Sequence, residues 1–114
     1  MLNNSGALLN DDRGSFVDSG QQLTGQGHDA ALGDIDKDGD LDLFIPCADE
    51  NTPNKIYLND WNGTFQDSGI RLGTSEDIFT SCQIIDLDND GDNDIFASAS
   101  FDGRNRIWFN SIIN

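Results

Sequence analysis

Asp34-Ile35-Asp36-Lys37-Asp38-Gly39-Asp40-Leu41-Asp42 and Asp86-Leu87-Asp88-Asn89-Asp90-Gly91-Asp92-Asn93-Asp94 decide how this sequence is read. Both follow D-x-D-x-D-G-x-x-D. Carboxylates at positions one, three and five converge on one point as the chain curls around it. Gly at position six permits the bend that brings the later groups back. Position seven, Asp40 or Asp92, offers its backbone carbonyl, and Asp42 or Asp94 at position nine closes the cage. Such an oxygen cage suits Ca²⁺, which takes six to eight oxygens at about 2.3–2.6 Å; Mg²⁺ demands a tighter octahedron and keeps its water. The four carboxylates of the motif, crowded into nine residues, repel one another, and a divalent ion relieves that repulsion. The expectation is about two Ca²⁺ per chain.

The flanks decide the setting of these loops. An EF-hand needs a Glu at position twelve and helices on both sides. Position twelve is Ile45 in the first loop and Ala97 in the second, and the flanks Ala31-Leu32-Gly33, Leu43-Phe44-Ile45, Gln83-Ile84-Ile85 and Ile95-Phe96-Ala97 favour strands. Each loop is therefore expected in a β-hairpin.

Working outward, the chain repeats itself. Leu9-Asn10-Asp11 recurs as Leu58-Asn59-Asp60, Gly14-Ser15-Phe16 as Gly63-Thr64-Phe65, and Asp18-Ser19-Gly20 as Asp67-Ser68-Gly69. Asn54-Lys55-Ile56-Tyr57-Leu58-Asn59 recurs as Asn105-Arg106-Ile107-Trp108-Phe109-Asn110. A period of about 50 residues filled with short strands is typical of propeller blades. No window carries a sustained apolar i, i+3, i+4 pattern, and Gly, Asn and Asp interrupt every few residues. The strands read as Ala7–Asn10, Ser15–Asp18, Asp29–Asp34, Asp42–Ala48, Lys55–Asn59, Thr64–Asp67, Ser81–Asp86, Asp94–Ser100 and Arg106–Asn110. The turns Asp12-Arg13-Gly14, Asn62-Gly63 and Asp102-Gly103 suit tight hairpins, because Asn, Asp and Gly accept positive φ.

Length and charge narrow the function. A chain of 114 residues makes one ordinary domain. Its 21 acidic residues against 6 basic ones give a net charge of −15, and only Glu50 and Glu76 among the acids are not Asp. So few cations argue against nucleic acid. No apolar run approaches the ~20 residues of a membrane span. Met1 to Asn10 lacks the basic start and apolar stretch of a signal peptide. Cys47 and Cys82 lack zinc-type spacing and read as small buried residues, with a disulfide as the alternative.

The run His28 to Phe65, with its calcium loop, then Asn54-Lys55-Ile56-Tyr57-Leu58-Asn59, then Gly63-Thr64-Phe65, resembles the FG-GAP/VCBS repeat, the blade unit of integrin-α-like β-propellers. Ser81 to Asn110 resembles a second copy. Neither keeps an intact Phe-Gly…Gly-Ala-Pro segment, which places the likeness at the VCBS-like end. The resemblance implies a calcium loop between the first and second strands of a four-stranded blade. It implies as ligands Asp34, Asp36, Asp38, Asp42 and the carbonyl of Asp40, then Asp86, Asp88, Asp90, Asp94 and the carbonyl of Asp92. It also implies rings of about six to eight blades, and an extracellular setting for the parent family.

The fold expected is all-β, with two four-stranded antiparallel propeller blades in one fragment, 1–114. The blade-like repeats cover about 28–67 and 78–110. Two blades leave apolar faces without ring partners. A homo-oligomer, trimer or tetramer, is therefore expected, with N-terminal strands 7–18 completing a blade in a neighbouring subunit. Nine strands do not divide into two blades, so one copy of the Leu8/Trp108 strand is expected to be displaced or unpaired.

The functional expectation is a non-enzymatic, calcium-binding module that self-assembles and presents rim loops to a protein or glycan partner. The candidate loops are Gln21–His28, Asp49–Pro53, Thr74–Ile78 and Phe101–Arg104. Trp61, on a turn, and His28, the single histidine, are the candidate ligand contacts. One alternative is a purely structural self-assembling unit without a ligand. The other is a polysaccharide-active enzyme, for which Arg71, Arg104, Lys55 and His28 are the only materials and form no recognisable set.

Overall fold

A computed structural model describes residues 4–10, 12–24, 29–46, 54–73, 79–99 and 105–111. His28, Cys47 and most of the four candidate rim loops lie outside the described residues. Among the described residues nine strands run in chain order: β1 (Asn4–Asn10), β2 (Phe16–Thr24), β3 (Ala31–Gly33), β4 (Asp42–Ile45), β5 (Asn54–Asn59), β6 (Phe65–Leu72), β7 (Ser81–Ile85), β8 (Asp94–Ser98) and β9 (Arg106–Trp108). The described residues hold no helix, and so none long and apolar enough to cross a membrane.

The strands form three antiparallel sheets: β1-β2, β3-β4-β5-β6 and β7-β8-β9. The middle sheet alone has the four strands of a whole blade among the described residues. The first holds the counterparts of its last two strands, and the third the counterparts of its first three.

β2 and β6 run well past the ends that the sequence suggests, and β1 begins at Asn4 rather than Ala7. Asp18-Ser19-Gly20 and Asp67-Ser68-Gly69 read as strand ends, yet β2 and β6 continue past them to Thr24 and Leu72. Each triplet is a bulge. The register slips between Gly6/Leu8 opposite the first and between Lys55/Tyr57 opposite the second. Gly20 and Gly69 take φ of 79° and 82°, which a residue with a Cβ resists. The Asp carboxylate accepts the Gly N–H at 2.9 Å in both copies. The Ser68 hydroxyl donates to the Ile56 carbonyl and accepts the Ile70 N–H, so the displaced backbone stays satisfied. Arg71 then pairs with Asp67 at 2.6 Å and holds that carboxyl down at about 2.

The core lies between the sheets. Ala31, Ile35, Phe44 and Ile56 of the middle sheet and its first loop meet Cys82, Ile95 and Ala97 of the third, with Phe79 closing the cluster. Trp108 lies against it, its ring 6.1 Å from Phe44 and 5.6 Å, edge-on, from Phe79. Cys82 is buried and carries a free thiol, pushed up to about 12 by burial and by Asp29. On the opposite face of the middle sheet, Leu23 of β2 packs on Leu43, Ile45 and Tyr57.

Phe44 is fully buried at the centre of the larger cluster. Phe44→Ala is expected to lower the unfolding free energy by about 3–5 kcal/mol in urea denaturation. A loss below about 1 kcal/mol would show that the two sheets do not pack through this residue.

Candidate metal centre

Each acidic loop joins the first two strands of its sheet, β3 to β4 and β7 to β8. The turn forms because two residues enter the left-handed region in each copy: Lys37 and Gly39 (φ 64° and 93°), Asn89 and Gly91 (φ 62° and 92°). Gly39 N–H donates to Asp34 Oδ2 at 2.9 Å, and Gly91 N–H to Asp86 Oδ2 at 2.9 Å. Position one thus ties itself to position six before any ion arrives.

Position nine is the anchor. Asp42 is fully buried, and both its oxygens accept backbone N–H groups, Oδ2 from Ile35 at 2.8 Å and Oδ1 from Asn59 at 3.0 Å. Asp94 repeats this with Leu87 and Asn110, both at 2.8 Å. Burial opposes the Asp94 charge, but the N–H groups of Asn110 and Leu87 outweigh it and hold the carboxyl below its ordinary range. Asn59 and Asn110 complete the support. Asn59 Nδ2 donates to the Leu41 carbonyl, and Asn110 Nδ2 to the carbonyls of Asn93 and Ile35. Sequence reasoning had not singled out these two asparagines; their recurrence at the same repeat position was the available signal.

Asp34, Asp36, Asp38 and Asp42 each bring one carboxylate oxygen to within 4.8 Å of the others, and Asp86, Asp88, Asp90 and Asp94 do the same. Each group can hold a metal ion. Asp34 Oδ1 is buried and accepts no hydrogen bond. A buried lone carboxylate oxygen is costly unless a donor or cation meets it, so the donor set fits a hard divalent ion. The side chains of Asp40 and Asp92 stand outside the two groups. Asp40 is buried with its carboxylate beside Asp38, while Asp92 pairs with Lys37 at 3.0 Å.

The crowding shows in the titration. Burial, then Asp38 and Asp42, push the Asp36 carboxyl up to about 6. Burial and Asp90 raise Asp88 to about 6, and burial and Asp38 raise Asp40 to about 6. Asp38 is lowered, chiefly by its hydrogen bond with Asp40.

Trp61 stands against this loop. It takes φ of 79° in the β5–β6 turn, and its ring edge lies 3.0 Å from where a Cβ at Gly39 would sit. At Gly91 the same space holds the Lys37 ammonium. Asn93 Nδ2 of the second loop donates to the Asp34 carbonyl of the first at 2.9 Å, so the two loops touch.

A family model described as an FG-GAP-like repeat matches residues 34–97. Comparison with curated proteins and with solved structures finds no match.

The raised carboxyls set a pH dependence. Folded Asp36 and Asp88 hold protons to about 6, whereas the unfolded chain releases them near 3.8. Their contribution to stability is present below the unfolded value and lost as pH rises through about 6. The metal-free protein, stripped by dialysis, is therefore expected to melt at a lower temperature at pH 7 than at pH 5. A melting temperature that is flat or rising across that window would contradict the crowding.

Proposed function

Because the chain belongs to the FG-GAP-like repeat family, we propose that it is a calcium-binding, non-enzymatic propeller module. The observation that carries this reading is the duplicated gathering of four Asp carboxylates, with a buried Asp34 oxygen left for a cation. Asp34, Asp36, Asp38 and Asp42 would hold one ion, and Asp86, Asp88, Asp90 and Asp94 the other, with the carbonyls of Asp40 and Asp92 as further ligands. The ion is structural. It neutralises the crowded carboxylates and fixes each hairpin against the end of the third strand through Asp42 or Asp94.

The chain closes into a ring with copies of itself, a trimer or tetramer, because its outer sheets are partial blades with exposed apolar side chains. The rim, including exposed Trp61, is the surface offered to a protein or glycan partner. Calcium-rich extracellular surroundings suit such a module, whose sites hold the ion at about 10⁻⁴–10⁻³ M.

Calorimetric titration of the metal-free protein with CaCl₂ tests the metal reading. Two ions per chain are expected, falling to one in the double variant Asp36→Asn, Asp38→Asn. No binding at millimolar calcium, or an unchanged count in the variant, would refute it.

A further inference from the structure

The internal repeat gives each residue packed between the middle and third sheets a counterpart on an outer face. The middle sheet and its loop grip the third sheet through Ile35, Phe44, Ile56 and Leu58. Leu87, Phe96, Ile107 and Phe109 are their repeat counterparts, on the far face of the third sheet. Ile35 and Ile56 are each 4% exposed, whereas Leu87, Ile107 and Phe109 are 43%, 51% and 60% exposed. The far face therefore carries the same gripping residues with nothing among the described residues to grip.

The complementary gap lies at the other end. Leu32 is 56% exposed on the middle sheet, although its counterpart Ile84 packs against the core and closes on Gly33. Leu23 of β2 covers Leu43, Ile45 and Tyr57 on that face, as its counterpart Leu72 lies against the cluster between the other two sheets. Among the described residues β1 and β2 thus stand as the outer half of a preceding blade, without its inner two strands.

We infer that β7 and β8 of a second copy of this chain fill that gap, so that the third sheet of one copy and β2 of the next form one composite blade. The inference rests on the ring reading above and names its joint. Ile85 of the second copy meets Leu32, as Gly33 meets Ile84 within the chain. The Leu87 carbonyl of the second copy accepts from Asn59 Nδ2, as the Ile35 carbonyl accepts from Asn110 Nδ2 at 2.8 Å. Asn89 of the second copy stands where Lys37 stands, and its shorter side chain leaves free the space over Gly39 that Trp61 fills.

One strand position beside β2 then has two claimants, β1 and the second copy's β9. Ile107 and Phe109 bring larger apolar groups to the middle sheet than Ala7 and Leu9 of β1, so β9 takes the position and β1 gives way. The joint is head-to-tail, which closes a ring when the rotation per copy divides a full turn. It also seats the second copy's loop Asp86–Asp94 beside loop Asp34–Asp42.

Chains carrying Leu32→Cys and chains carrying Ile85→Cys, distinguishable by mass, test the joint when mixed and oxidised in calcium. A Cβ at Gly33 would lie 2.9 Å from the Ile84 Cβ. The bulkier counterpart pair sits wider, within disulfide reach of about 3.5–4.5 Å. A mixed cross-linked dimer is expected from the mixture and from neither chain alone, above the background that unsubstituted protein sets for Cys47 and Cys82. Light scattering on the same unsubstituted protein separates the two ideas. A mass of several chains without the mixed dimer would overturn this joint and leave the ring standing, and a monomer in calcium would overturn both. Ile107→Asp with Phe109→Asp gives an independent check, since both residues are exposed in the single chain. Loss of the assembly with an unchanged circular dichroism spectrum is expected, and an intact assembly would overturn the joint.

Discussion

Everything in this chain depends on holding four carboxylates together within nine residues, twice. Like charges at this spacing do not stay together unaided. The protein answers with backbone N–H groups at positions one and nine, and with proton uptake at Asp36 and Asp88 when no cation is present. Asp42 and Asp94 carry most of this load. Each is buried, reaches into the loop through one oxygen, and fixes the end of the third strand through the other. The loop is therefore part of its sheet, and a change in its charge is felt at Asn59 or Asn110.

The loops also belong to the stacking of sheets. Asn93 bonds to the Asp34 carbonyl, Asn110 to the Ile35 carbonyl, and Lys37 crosses to Asp92. All three contacts join the acidic loop of one sheet to the loop or third strand of the next. Loop geometry and sheet packing are therefore joined, and these bonds hold two acidic loops in contact in a chain with a net charge of −15.

Much of this was legible in the residues. The period of the repeat, the Gly at position six and the apolar flanks gave an all-β chain with two hairpin loops, and strand order followed. What escaped was set by other forces. Asp18-Ser19-Gly20 and Asp67-Ser68-Gly69 look like terminators, but side-chain hydrogen bonds turn them into bulges inside longer strands. Trp61, a candidate ligand contact on its turn, has its ring against the acidic loop because Gly39 leaves room for it, a placement that the sequence spacing does not encode. The role of the Asp40 carboxylate was likewise hidden, because its burial depends on tertiary neighbours that no local pattern encodes. The division of nine strands into two, four and three follows the phase of the repeat along the chain.

Thermal unfolding at pH 7, in calcium and after chelation, tests the dependence on a cation most directly. With calcium about 100-fold above its dissociation constant, one site stabilises by about 2.7 kcal/mol, and two sites should raise the melting temperature by on the order of 10–20 °C. Magnesium at the same concentration should give much less. Equal melting temperatures with calcium and with chelator would mean that the protein alone holds the carboxylates together, and that the fold does not depend on a cation.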